Sequence, residues 1–240
     1  MNNSKPHLLI FGGNSTVAQA LATQVSTDFS ISFAARNIDS LDKESAFQID
    51  LNNPETINLA FSSAVELHGP VHAVVNCIGS ILLKPAHLLS DKDWMETLNI
   101  NLNSSFYITR AAAKSMLKTG GSVVLLSTAA SLIGLPNHEA IAAAKAGING
   151  LMLSAAATYA ANNIRFNCVA PGLVDTKLSS NIINNPKALD FSLKLHPLNR
   201  VGTADDIASM IAFLINPKNS WITGQVFAVD GGLSQLKTLR

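Results

Sequence analysis

The chain has 240 residues, 48% of them hydrophobic and 14% charged, which is enough apolar material for a sizeable core, and a single domain spanning 1–240 is expected at this length. The formal charge of +1, with Lys and Arg scattered among Asp and Glu, leaves no basic stripe to neutralise a phosphate backbone and argues against nucleic acid as a partner. Residues 1–7 are polar and the apolar run at 8–11 is too short for a signal-peptide core or a membrane span, so a cytoplasmic protein with no membrane partner is expected.

Short apolar runs alternate with segments of helical period, the pattern of βαβ units and of a parallel sheet buried on both faces. In chain order, a strand at 7–11 leads through a glycine-containing turn into a helix at 16–25. Strands at 31–35 and 46–49 follow, then a helix at 54–67, a strand at 72–77, one long helix at 91–117 and a strand at 122–127. A helix at 139–159, a strand at 164–170, a helix at 204–215 and a strand at 225–229 complete the series. Thr203 is a candidate cap for the last helix, with Asp206 three residues on. The stretch 173–199 has no clean period, is rich in Asn and contains Pro186 and Pro197; it reads as a flexible lid over a substrate. Roughly seven strands predict an α/β fold, a doubly wound parallel sheet with helices on both faces. Cys77 and Cys168 fall in apolar strand-like segments, which suits buried thiols in a reducing compartment, and no metal-ligand spacing involves them.

The first strand, turn and helix have the layout of a dinucleotide site, in which pyrophosphate rests on unpaired N–H groups at a helix N-terminus. Gly12, Asn14, Ser15, Thr16 and Val17 are its candidate residues, and the hydroxyls of Ser15 and Thr16 can donate to phosphate. An ordinary turn is the competing reading of this segment taken alone. After the second strand stands Arg36, with no acidic residue to grip ribose hydroxyls; a guanidinium suits a 2′-phosphate, so NADP(H) is expected over NAD(H). A solvated Arg36, or one stacked on adenine, is the alternative.

Further along stand Asp50-Leu51, Asn76 to Gly79, Trp94, Asn101 and Phe106, then Ser127-Thr128, Ala140-Ile141, Lys145 and Gly147. Asn167 to Gly172, Val174, Thr176, Ile222 to Gln225 and Asp230 to Gly232 follow. In order and separation this series resembles the short-chain dehydrogenase/reductases over essentially the full length. The resemblance implies a Rossmann-type fold and a nicotinamide cofactor. Gly12 matches the first glycine of the family's phosphate turn, while Thr16 and Ala18 stand where the second and third would be. It places Asp50 and Leu51 near adenine, Asn76 and Gly79 near the ribose, and Pro171, Gly172, Val174 and Thr176 at the nicotinamide. The family's catalytic tetrad falls on Asn101, Thr128, Ile141 and Lys145. Asn101 would hold a water linking its helix to the lysine, Thr128 a carbonyl oxygen, and Lys145 the ribose hydroxyls. The tyrosine that protonates the carbonyl is replaced by Ile141, which carries no proton.

Other proton donors are scarce. Tyr107 and Tyr159, the two tyrosines, fall on helix positions that belong to packing or an interface. His138, three residues before Ile141, titrates in the useful range, although a solvated loop histidine is the plainer reading. Ser127 is a second choice to Thr128, because strand alternation would turn it to the other face. The resemblance therefore points to an NADP(H)-binding oxidoreductase acting on a small carbonyl or alcohol, with weak or atypical catalysis. The alternative is an inactive cofactor-binding sensor or partner subunit. The family also implies a homo-oligomer, a tetramer or a dimer, paired through small residues of the fifth helix such as Ala142, Ala143, Ala146, Gly147 and Gly150.

Overall fold

In the computed structural model, which describes residues 5–237, strand β1 (His7–Phe11) is buried at every residue. That is possible only for a strand with neighbours on both edges and cover on both faces. Parallel strands β2 (Ser30–Ala35) and β3 (Ala46–Gln48) extend the sheet on one side, and β4 (Val71–Asn76), β5 (Gly121–Leu126), β6 (Ile164–Pro171) and β7 (Val226–Val229) on the other. The order is β3-β2-β1-β4-β5-β6-β7. Chain direction across the sheet reverses between β1 and β4, and in open sheets of this kind ligands bind beyond the strand carboxyl ends at such a point. The expected strands are present with ends displaced by a residue or so.

Helices α1 (Thr16–Val25) and α8 (Ala204–Ile215) cover one face, packing Leu21, Ile207 and Ile211 against Leu8, Ile10 and Val75. The other face is covered by α2 (Glu55–His68), α4 (Ser104–Met116) and α5 (Glu139–Tyr159), whose Ile57, Ile108 and Ile148 meet Leu9, Phe11 and Leu125. Truncating one of these fully buried aliphatic side chains to alanine costs about 2–5 kcal/mol. The cap expected before α8 is there: the Thr203 hydroxyl accepts the Asp206 N–H, and the Asp206 carboxylate accepts the Thr203 N–H. Arg200 closes on the same carboxylate through two bonds of 2.6 and 2.8 Å, and its guanidinium holds the Asp206 carboxyl well below the usual carboxylate range.

Two expectations need correction. The helix expected over 91–117 is interrupted: α3 (Asp91–Leu98) passes into one π-helical turn at Asn99–Asn103 before α4 begins. Asn99, Asn101 and Asn103 alternate with Ile100 and Leu102 here, and the Ser104 and Ser105 hydroxyls donate back to the carbonyls of Ile100 and Asn101 at 2.6 and 2.8 Å. Side chains that compete for backbone groups loosen the regular ladder, and π turns of this sort collect at functional sites. The aperiodic stretch 173–199 is not irregular either, for it contains α6 (Ser180–Ile183) and α7 (Pro186–Leu195). Pro186 occupies the first turn of α7, where its missing N–H costs nothing, and the Asn185 side chain accepts from Lys187 and Ala188. No residue of α7 is fully buried; Ala188, Leu189, Ser192 and Leu193 share a half-buried face, a stripe too short to stand out between Asn- and Pro-rich flanks.

Candidate active site

The turn from β1 into α1 is shaped by close backbone approach. Gly12 has φ +75°, and a Cβ there would lie 2.8 Å from the Cys77 carbonyl carbon at the end of β4. Only glycine tolerates both the left-handed backbone and that contact. Ser15 caps α1 by accepting the Ala18 N–H, and the N–H groups of Thr16 and Val17 have no acceptor among the described residues. These free donors, added to the helix dipole, make the cradle an anion site, and the residues present fit a cofactor pyrophosphate. The Asn14 amide donates to the Asn37 carbonyl and accepts from the Ser40 hydroxyl, which pins the turn after β2 against the cradle. Arg36, beside Asn37, is exposed, and its guanidinium has no ion-pair partner among the described residues.

Opposite the cradle, α5 presents Ile141 and, one turn on, Lys145, both buried. Lys145 Nζ donates to the Leu126 carbonyl at 2.8 Å. Burial pulls its ammonium down to about 8. Cys168 and Cys77 lie near enough to oppose that shift, but burial raises both thiols to about 12, so they are neutral at ordinary pH and offer no countercharge. The Thr128 hydroxyl sits 3.5 Å from the Pro171 carbonyl, linking the end of β5 to the loop after β6. Gly172 is forced by packing, since a Cβ would come within 2.6 Å of His196 Nε2. That nitrogen accepts the Leu173 N–H at 3.1 Å while Nδ1 donates to the Ser192 carbonyl at 2.6 Å, so buried His196 latches the end of α7 onto the strand exit.

Asn101, turned inward by the π turn, spends its amide on the loop after β4: it accepts the Ser80 N–H at 3.1 Å and donates to the Ser80 hydroxyl and the Thr97 carbonyl. Its own carbonyl accepts the Ser105 hydroxyl. Its side chain thus fixes that loop to the π turn. A Cβ on Gly79 would stand 3.3 Å from Asn101 Oδ1 and 3.5 Å from Lys145 Nζ, so the three residues converge.

These elements enclose a cavity of about 440 Å³ reaching from the α1 cradle to Ile141 and Lys145. A family model described as "Enoyl-(Acyl carrier protein) reductase" matches residues 15–234, which carry both walls of it. The chain belongs to the short-chain dehydrogenase/reductase family. It is 32% identical over 227 residues to the 3-oxoacyl-[acyl-carrier-protein] reductase FabG of Thermotoga maritima, covering 90% of this chain and 89% of that one. It is 31% identical over 221 residues to the cyclohexanol dehydrogenase of an Acinetobacter species, covering 90% and 86%. Among solved structures, a short-chain type dehydrogenase/reductase from Mycobacterium ulcerans superposes with a TM-score of 0.89 at 27% identity, covering 98% of this chain and 91% of that one.

Of the residues singled out from the sequence, Ser15, Thr16, Val17, Gly79, Thr128, Ile141, Lys145, Pro171, Gly172, Val174 and Thr176 all line this one short-chain dehydrogenase/reductase cavity. Ser127 lines it too, because β5 stops at Leu126 and the strand alternation that would have turned it away has ended; its hydroxyl donates to the Lys145 carbonyl. Gly12, Asn14, Asn76 and Asn101 shape the walls from behind. The Asn76 amide, for instance, donates to Ser105 and accepts the Ile78 N–H. Asp50 is exposed and bonded to the Asn52 N–H, while Leu51 packs against the core. His138 lies outside the cavity lining, its Nδ1 held by the Pro136 carbonyl. Tyr107 meets Phe106 edge-on and lies under the Arg110 guanidinium, and Tyr159 packs at a tilt against Phe166; neither lines the cavity. The sequence reading missed Cys77, Ile78, Ser80, Ile81, Leu126, Leu173, Lys177, Leu178, Ser179 and Ile207 as lining residues. Adjacency to matched motifs was a signal for most of these; Ile207 has none, since packing of α8 on α1 brings it there.

Proposed function

We propose that this protein is an NADP(H)-dependent oxidoreductase that interconverts a small carbonyl and its alcohol slowly. The observation that carries this reading is the joining, in one cavity, of an anion cradle at Ser15 to Val17 with Thr128, Lys145 and Ile141. The names of the two curated relatives, an oxoacyl reductase and a cyclohexanol dehydrogenase, support the carbonyl and alcohol class. Thr16 and Val17 would bind the pyrophosphate, Arg36 the 2′-phosphate, and Lys145 the ribose beside nicotinamide; the cofactor, when bound, supplies hydride. Thr128 would hold the carbonyl oxygen. Ile141 takes the place of the family's tyrosine, and its side chain donates nothing. General acid catalysis contributes typically ~10²–10⁴ in rate, so its loss slows the reaction without forbidding it.

Titration with NADPH and NADH by cofactor fluorescence, followed by assay on a panel of small ketones, aldehydes and alcohols, tests the reading. Tighter NADPH binding with slow turnover supports it; absence of cofactor binding overturns it. The buried apolar Ile141 also favours a second reading, a cofactor-binding sensor or partner subunit without turnover, for which NADPH would bind and no substrate would react. We further propose a cytoplasmic homo-oligomer, a tetramer or dimer, paired through α4 and α5. Ala143, Ala146, Gly150 and Leu153 make an exposed stripe on α5 near exposed Phe106 on α4. Gly147, in contrast, is used within the chain, since a Cβ there would meet Leu102 at 3.0 Å.

A further inference from the structure

We infer that Lys145 is itself the proton donor to the carbonyl oxygen, in addition to holding the cofactor. This rests on the function proposed above. Besides Lys145, the cavity wall carries few groups able to give up a proton, and the one other ammonium there, Lys177, is exposed on the turn after β6 rather than buried beside Thr128. His138 is turned to Pro136 outside it, and both tyrosines are packed elsewhere. Cys77 does line the wall, but burial holds its thiol at about 12, too weak an acid near neutrality. Serine and threonine hydroxyls are weaker still. Lys145 lines the same cavity as Thr128, the residue proposed to hold the oxygen, and Ile141, one helical turn before Lys145, adds a side chain that offers no competing acceptor.

An ammonium has three N–H bonds, and Nζ gives one to Leu126. The others are free for the ribose and for the substrate oxygen, directly or through one water. The ionisable groups near Nζ are Cys77, just beyond β4, and Cys168 from β6, both neutral, so no carboxylate anchors the positive charge and burial favours release of the proton. An acid that titrates at about 8 is matched to work near neutral pH, which an ordinary lysine is not. When bound, a reduced nicotinamide would supply hydride to the carbonyl carbon and be oxidised in doing so, and the C=O π pair would move onto oxygen. One N–H bond of Nζ breaks and an O–H bond forms, leaving a neutral amine that solvent protonates again.

Three measurements on the full chain test this. NMR of ¹⁵N-lysine-labelled protein, without cofactor, should show Nζ of Lys145, assigned by its loss in Lys145→Arg, titrating near 8; a value above ten overturns the inference. With NADPH bound, carbonyl reduction should fall tenfold per pH unit above about 8, and a flat profile from pH 7 to 9.5 overturns it. Lys145→Ala should lose at least ~10²-fold in rate and be restored by added methylamine, with larger effects for amines of lower pKa. Lys145→Arg, which keeps the charge but holds its proton, should remain slow; full activity there overturns the inference. NADPH binding separates the two levels. No binding to the parent chain overturns both the cofactor reading and this one, whereas binding with turnover that ignores Lys145 overturns the acid alone.

Discussion

The cradle wall and the catalytic wall of the cavity respond differently to sequence change. At the cradle, Thr16 and Ala18 stand where the family carries glycines, yet the free N–H groups and the cap at Ser15 are intact. At the catalytic wall, buried Ile141 stands where the proposed function puts the proton donor, and it carries no proton. A function performed by backbone geometry tolerates any side chain that leaves the turn undisturbed, whereas one performed by a single acidic proton ends with the residue that bears it. Under the proposed function, the cradle would keep its binding role where the catalytic wall would lack a proton donor at Ile141.

The strongest way to break this contrast is at Gly12. Gly12→Val introduces both a strained left-handed backbone and a clash with Cys77, so NADPH affinity should fall at least ~10²-fold, at about 1.4 kcal/mol per tenfold. Calorimetric titration that finds unchanged affinity would show that the cradle does not hold the cofactor. Next, Ile141→Tyr should raise NADPH-dependent carbonyl reduction by ~10²-fold, whereas His138→Ala should leave the parent rate as it is. A His138→Ala variant that loses the rate would make that imidazole the acid.

A smaller effect concerns stability. Folding lowers the Lys145 ammonium from 10.5 to about 8. Below pH 8 the lysine is charged in both folded and unfolded chains, and the burial penalty is fully present. Between pH 8 and 10.5 the unfolded chain binds the proton that the folded one has released, so stability rises with pH across that window. Lys145→Met should accordingly be more stable than the parent at pH 7, by about 1–3 kcal/mol, and the difference should shrink by pH 10. Urea unfolding at both pH values measures it; a destabilised variant at pH 7 would mean the Leu126 bond outweighs the buried charge. Arg36→Ala should lose roughly tenfold of NADPH preference over NADH, the value of one charge-assisted bond, and equal loss for both cofactors would detach Arg36 from the 2′-phosphate. The smallest effect expected is at α8, where Thr203→Ala removes the cap and costs about 1 kcal/mol in thermal or urea unfolding.

Much of this molecule is written locally. A buried parallel strand must be apolar along its length, so Leu8 to Phe11 could be read as one, and Thr203 with Asp206 announced the start of α8 because a cap needs only four consecutive residues. The phosphate turn and the pairing of Ile141 with Lys145 were legible for the same reason, both lying within one turn of chain. What depends on distant partners was not. The π turn at Asn99–Asn103 turns Asn101 onto Ser80 in the loop after β4. α7 has only a half-buried face, the end of β5 turns Ser127 into the cavity, and Ile207 arrives there by the packing of α8 on α1. The depressed ammonium of Lys145 is likewise a tertiary property: its residue type and spacing are in the chain, but its acidity comes from burial between two strands that bring only neutral thiols. Local patterns determine backbone conformation because their interactions close within a few residues, while desolvation and cavity shape are set only when remote segments meet.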